Sequence, residues 1–73
     1  MGRVQVKAEV AGRVSALPHA VGAIVKEGDD LLIVEAMKME IPLASPASGT
    51  IGEILVVIDD VVAEGQVLIV LDA

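Results

Sequence analysis

Glu35-Ala36-Met37-Lys38-Met39-Glu40 lies between two apolar, strand-like segments and reads as the tip of a hairpin. Such a tip presents one primary amine on a flexible four-carbon stem, a compact charge that becomes a nucleophile once deprotonated. Each residue of the run also has an ordinary reading. A lysine at a hairpin tip is commonly no more than a solvated charge. Met37 and Met39 could be gap-fillers in a core, and Glu35 and Glu40 could be solubilising charges at strand ends.

The remaining chemistry-bearing residues are sparse. The chain has one histidine and no cysteine, which rules out a thiolate nucleophile, a zinc–thiolate site and a disulfide framework. His19 follows Pro18 and is expected as an exposed loop residue, with no partners for a Ser-His-Asp triad or a metal cluster. Asp29-Asp30 and Asp59-Asp60 are adjacent carboxylates, and neighbours in an extended chain point to opposite faces. They are expected to cap turns or stay solvated. Gly12, Gly28, Gly49 and Gly65 match no phosphate-cradling spacing and are read as structural.

Composition narrows the function classes further. Eleven acidic against five basic residues give a net charge of −6, and aromatic residues are absent. Neither attraction to phosphate backbones nor base stacking is available, so no nucleic-acid partner is expected. The longest apolar runs, 31–34, 54–58 and 67–71, fall far short of the roughly 18–20 residues that cross a bilayer, and no membrane partner is expected. The sequence opens Met-Gly-Arg-Val-Gln-Val, without the apolar run of a secretory signal and without the Ser or Thr that completes a myristoylation pattern. A cytoplasmic domain is expected, or one in the mitochondrial matrix if the source is eukaryotic.

The elements that must position the tip are strands. Thirteen Val and seven Ile are stiff at χ1 and fit a pleated sheet better than a helix. Val4–Glu9, Arg13–Leu17, Asp30–Ala36, Met39–Ala44, Thr50–Leu55 and Gln66–Leu71 read as strands. Pro42 places its strand at an edge or beside a break. Residues 21–26 and 56–63 lead to Glu-Gly turns, where Gly28 and Gly65 can take positive φ without a Cβ clash. Sliding the chain by 37 positions sets Gly12 on Gly49, Gly28 on Gly65, Val14 on Ile51, Leu31 on Leu68 and Val34 on Leu71, with no gap. Residues 1–73 are therefore read as one all-β domain, a flattened antiparallel β-barrel or sandwich. Its two quasi-symmetric halves cover about 8–36 and 45–73. The symmetry predicts that the Lys38 turn and the chain ends lie at opposite ends of the domain. A chain of this length has no room for a catalytic domain with a deep cleft.

Glu-Ala-Met-Lys-Met-Glu at the centre of a duplicated β-domain resembles the attachment motif of biotinyl (biotin carboxyl carrier) domains, whose hammerhead fold is shared with lipoyl domains. The four glycines, the duplication and the central position of Lys38 extend the likeness over roughly residues 8–72. The resemblance implies that Lys38 bears biotin through an amide. It further implies that Glu35, Ala36, Met37, Met39 and Glu40 form the motif read by a biotin protein ligase. The domain would then carry a carboxyl group between a biotin carboxylase and a carboxyltransferase while catalysing neither reaction. The isolated domain is expected to be a monomer. Paired methionines beside the lysine favour biotin over lipoate. The alternatives are a lipoyl or dual biotin/lipoyl carrier and, from a different class, an unmodified hammerhead that serves as an interaction module.

Two departures from the resembled pattern stand out. Glu9-Val10-Ala11-Gly12 replaces the Ala-Pro-Met-Pro-Gly common there. Asp59 stands where the second repeat usually has a turn glycine, which predicts a strained or differently shaped turn.

Overall fold

Alternating β-branched and polar residues punctuated by Gly and Asp build strands that bury one face and wet the other. The computed structural model describes residues 2–73 and forms eight strands there. In chain order they are β1 (Arg3–Lys7), β2 (Gly12–Ala16), β3 (Ile24–Val25), β4 (Asp30–Ala36), β5 (Met39–Ala44), β6 (Gly49–Ile54), β7 (Val61–Val62) and β8 (Val67–Asp72). They make two antiparallel four-stranded sheets, ordered β1-β8-β6-β3 and β5-β4-β2-β7. This is the all-β sandwich expected from the sequence.

The strands on either side of the candidate tip, Asp30–Ala36 and Met39–Ala44, have the bounds the sequence predicts. β5 is an edge strand, as Pro42 requires. Other bounds differ. The first strand ends at Lys7 rather than Glu9, because Ala8 leaves the ladder. Its N–H donates to the Gln66 carbonyl at 2.9 Å, and its own carbonyl accepts from Gly65 at 2.8 Å. Residues 21–26 and 56–63 yield only the two-residue strands β3 and β7, because Gly22 (φ 95°) and Asp59 (φ 79°) turn the chain just before them.

The 37-residue shift maps one sheet onto the other strand by strand: β5 on β1, β4 on β8, β2 on β6 and β7 on β3. Local irregularities are duplicated as well. The register slips between Val14 and Ala16 in β2 and between Ile51 and Glu53 in β6, which are equivalent positions. Gly28 and Gly65 both turn at positive φ, 92° and 84°, as their lack of a Cβ permits.

The core is built from equivalent pairs: Val6 with Leu43, Val14 with Ile51, Val25 with Val62, Leu31 with Leu68, Leu32 with Ile69 and Val34 with Leu71, all buried. Ser45, the buried polar residue of the core, stands where the other half has Ala8, and its hydroxyl donates to the Ala47 carbonyl at 2.6 Å. Aliphatic side chains thus fill most of the space between the sheets and hold the β4–β5 hairpin at one end of a body measuring 35 × 19 × 18 Å.

The chain ends occupy the position equivalent to the hairpin's base. Gly2 and Ala73 exchange two backbone hydrogen bonds, 3.1 and 2.9 Å, where the other half has the ladder pair Met39 and Ala36. Covalent continuity at one end of the domain is replaced by hydrogen bonding at the other.

Candidate functional site

The β4–β5 ladder runs from Asp30–Ala44 to Ala36–Met39, leaving Met37 and Lys38 as a two-residue connection. Both have positive φ, 51° and 65°. That is the signature of a type I′ hairpin turn, whose twist matches that of the flanking strands. Asn-Gly is the usual occupant, since a left-handed conformation costs other residues about 1–2 kcal/mol each. Here six ladder pairs and a packed core over-determine the turn.

The consequence is exposure at a fixed point. Met37 is 95% and Met39 64% exposed, so neither fills a gap in the core. Lys38 is exposed between them and makes no ion pair among the described residues. Ala36, half-buried, closes the ladder beneath the turn.

The two glutamates of the motif are ladder partners, facing each other across β4 and β5, yet their surroundings differ. Glu35 accepts a 2.9 Å bond from Nη2 of Arg13, its neighbour on β2, and Nη1 of Arg13 pairs with Asp59. The guanidinium thus sits between two carboxylates, which push its pKa above the ordinary value; the hydrogen bond to Glu35 is the largest contribution. Glu40 is exposed on edge strand β5 and has no ion-pair partner among the described residues.

Arg13 and Asp59 carry no local signal that links them to the lysine. They belong to strands and turns 22 and 46 positions removed in the two contacts, and only the pairing of β2 with both β4 and β7 brings them together. Val61, the ladder partner of Arg13, is 81% exposed and adds an apolar neighbour to this end.

The other sequence candidates have structural roles. His19 lies in a loop but is half-buried rather than exposed, because Nε2 packs 3.1 Å from the Asp30 carbonyl. Asp29 and Asp60 cap turns, accepting from the Lys26 and Val57 amides at 2.8 and 2.9 Å. Gly12 and Gly49 sit where strands approach closely. A Cβ on Gly12 would meet the Glu35 carbonyl, and one on Gly49 would lie 2.5 Å from the Asp72 carbonyl. Among the described residues no acidic or histidine cluster could hold a metal ion.

Residues 6–71 match the biotin/lipoyl family, described as "Biotin-requiring enzyme". The chain is 32% identical over 66 residues to the biotinylated protein TB7.3 homolog of Mycobacterium leprae, covering 90% of this chain and 93% of that protein. It is 40% identical over 62 residues to the pyruvate carboxylase of Staphylococcus aureus, covering 85% of this chain and only 5% of that enzyme. Among solved structures it superposes on the urea carboxylase of Kluyveromyces lactis with a TM-score of 0.92 and 32% identity, covering 99% of this chain and 6% of that one. A match across nearly the whole sandwich, hairpin included, places the chain in the biotin/lipoyl attachment family.

Proposed function

We propose that this domain is a biotin carboxyl carrier and that Lys38 is its attachment residue. The observation that carries the reading is the presentation of Lys38. It is an exposed amine, unpaired among the described residues, at the apex of a hairpin whose backbone is held left-handed by the ladder behind it. An attachment lysine needs an amine that a ligase can reach and a backbone anchor held in place, and both are present.

The donor chemistry of the site fits covalent biotin. Deprotonated Nζ of Lys38 attacks the acyl carbon of a biotinyl-adenylate held by the ligase. An amide forms, AMP leaves and the amine's charge is lost. Once attached, biotin supplies a ureido nitrogen that takes up a carboxyl group at a biotin carboxylase and gives it up at a carboxyltransferase. The chain's own part is positional. Met37 and Met39 keep polarizable, uncharged surface on both sides of the stem. The sandwich behind them is the mount, and tethering the carried group to it raises that group's effective concentration at each partner site. The partners in this reading are a biotin protein ligase, a biotin carboxylase and a carboxyltransferase. Motif recognition by the ligase is assigned to Glu35, Ala36, Met37, Met39 and Glu40.

Intact-mass measurement after co-expression with a biotin ligase, and separately with a lipoate ligase, tests the assignment. The expected outcome is a single biotin-sized increment with the first ligase. It should be absent from Lys38→Arg, whose thermal unfolding should match the unmodified wild type. An increment with lipoate ligase alone would make the domain a lipoyl carrier. No increment from a folded chain would leave an interaction module.

A further inference from the structure

We propose that Glu40 is the carboxylate by which this domain engages the enzyme that modifies Lys38, and that it meets a basic side chain there. The inference rests on the carrier reading above and separates Glu40 from Glu35, which the motif alone treats alike.

The duplication supplies an internal control. The positions equivalent to Glu40 and Glu35 in the other half are Arg3 and Asp72, ladder partners joined by a 3.0 Å ion pair. Arg3 also reaches Glu53 at 3.1 Å. The same backbone geometry therefore holds a complementary pair at the end where the chain termini meet and a like-charged pair at the lysine end. Opposite charges across a ladder stabilise a sheet and like charges destabilise it. Folding favours an arginine at position 40, and the fold accommodates one 37 residues earlier. Glutamate at this position is a stability deficit located two residues from Lys38.

The deficit is only half repaired from within. Arg13 on β2 neutralises Glu35, which lies on the adjacent strand. β5 is the sheet edge, so no further strand brings a counter-charge to Glu40, and no cation pairs with it among the described residues. It is exposed, next to Met39 and two residues from Lys38 in the chain. Exposed carboxylates of this kind act mainly on association rate and on its dependence on salt. The complementary group is a lysine or arginine at the rim of the ligase site.

The test uses the full chain with Glu40→Arg and Glu40→Gln. Each variant is followed by thermal unfolding and by steady-state biotinylation across a range of ionic strength. Glu40→Arg should raise Tm by about 2–6 °C, through a new ladder pair with Glu35. It should nevertheless lower kcat/KM for the ligase by about tenfold, expressed in KM, and flatten the salt dependence. Glu40→Gln should fall between wild type and Glu40→Arg in both properties. Ligase kinetics unchanged in both variants, with wild-type Lys38 biotinylated normally, would overturn the inference and leave the carrier reading intact. A lower Tm in Glu40→Arg would overturn the claim that Glu40 is held at the expense of stability. Absence of biotin on wild-type Lys38 would overturn the carrier reading and this inference with it.

Discussion

Among the described residues three non-glycines take positive φ, Met37, Lys38 and Asp59, and all three lie at the lysine end, two of them forming the apex itself. Backbone strain of this kind persists where the surrounding structure over-determines it. Asp59 shows what holds it, because the other half of the duplication has Gly22 at the equivalent position with nearly the same φ, 95° against 79°. The turn departs from the family's glycine in residue type but not in shape. Aspartate tolerates the left-handed region better than most residues, and its carboxylate pairs with Arg13. Asp59→Gly should relieve the strain and lose the ion pair, leaving stability within about 1 kcal/mol of wild type. Asp59→Val should cost about 2 kcal/mol, since a β-branched residue is forced into the same conformation. Urea unfolding of the two variants decides this. Equal losses would show that the ion pair, not the backbone, governs the site. Acidity does not reach Arg13 itself. A cation whose folded-state pKa is raised contributes its stability below the unfolded pKa and loses it as pH rises through the folded one, and for this guanidinium both lie far into the alkaline range.

At the scale of elements, the site depends on how closely β2 approaches β4. Gly12 faces the Glu35 carbonyl and the Val34 Cγ1, the latter 2.7 Å from where a Cβ would be. Gly49, its equivalent in β6, faces the Asp72 carbonyl, with Ala73 Cα at 3.1 Å. Alanine at either position requires strands to separate, a displacement of the overpacking kind worth about 1–3 kcal/mol. The two substitutions should therefore destabilise alike in chemical denaturation. They should differ in modification. Gly12→Ala displaces the strand that carries Glu35 and leads into the Lys38 turn, so it should slow biotinylation. Gly49→Ala acts where the chain ends meet and should leave the rate unchanged. Equal rates in the two variants would show that the hairpin is insensitive to its neighbouring strand. Sequence signals served this level unevenly. The hairpin strands were legible because alternation and turn residues are local. β3 and β7 carried no clear strand signal, because their segments lead into Glu-Gly turns and the apolar Ile24 and Val61 are exposed there.

For the molecule as a whole, the duplicated core makes a quantitative demand. Leu31 and Leu68 are equivalent, and both are fully buried in the one core cluster. Truncation of either to alanine should cost about 2–5 kcal/mol, and the two losses should agree closely. A domain of this length has total stability near the low end of the usual range, about 5 kcal/mol. Both variants should then be partly unfolded at ambient temperature, as circular dichroism or amide exchange would report. A large difference between them would show that the halves share a fold but not an energetic role. Equal losses fit a body that acts as a rigid mount. Its elongated shape, 35 × 19 × 18 Å, keeps the lysine turn and the paired chain ends at opposite poles.

The sequence by itself determined the all-β class, the duplication, the bounds of β4 and β5 and the hairpin at Met37-Lys38. Each of these rests on side-chain period, on turn chemistry or on a gapless self-alignment, all readable along the chain. The family resemblance, rather than the sequence by itself, pointed to a strained or differently shaped turn at Asp59. Only the tertiary structure decided that Arg13 binds Glu35 and Asp59 and that Glu40 is left without a counter-charge among the described residues. Those outcomes depend on which strand lies beside which and in what register. A one-residue slip would move every side chain of a strand to the other face, so they are properties of the assembled sheets rather than of any segment.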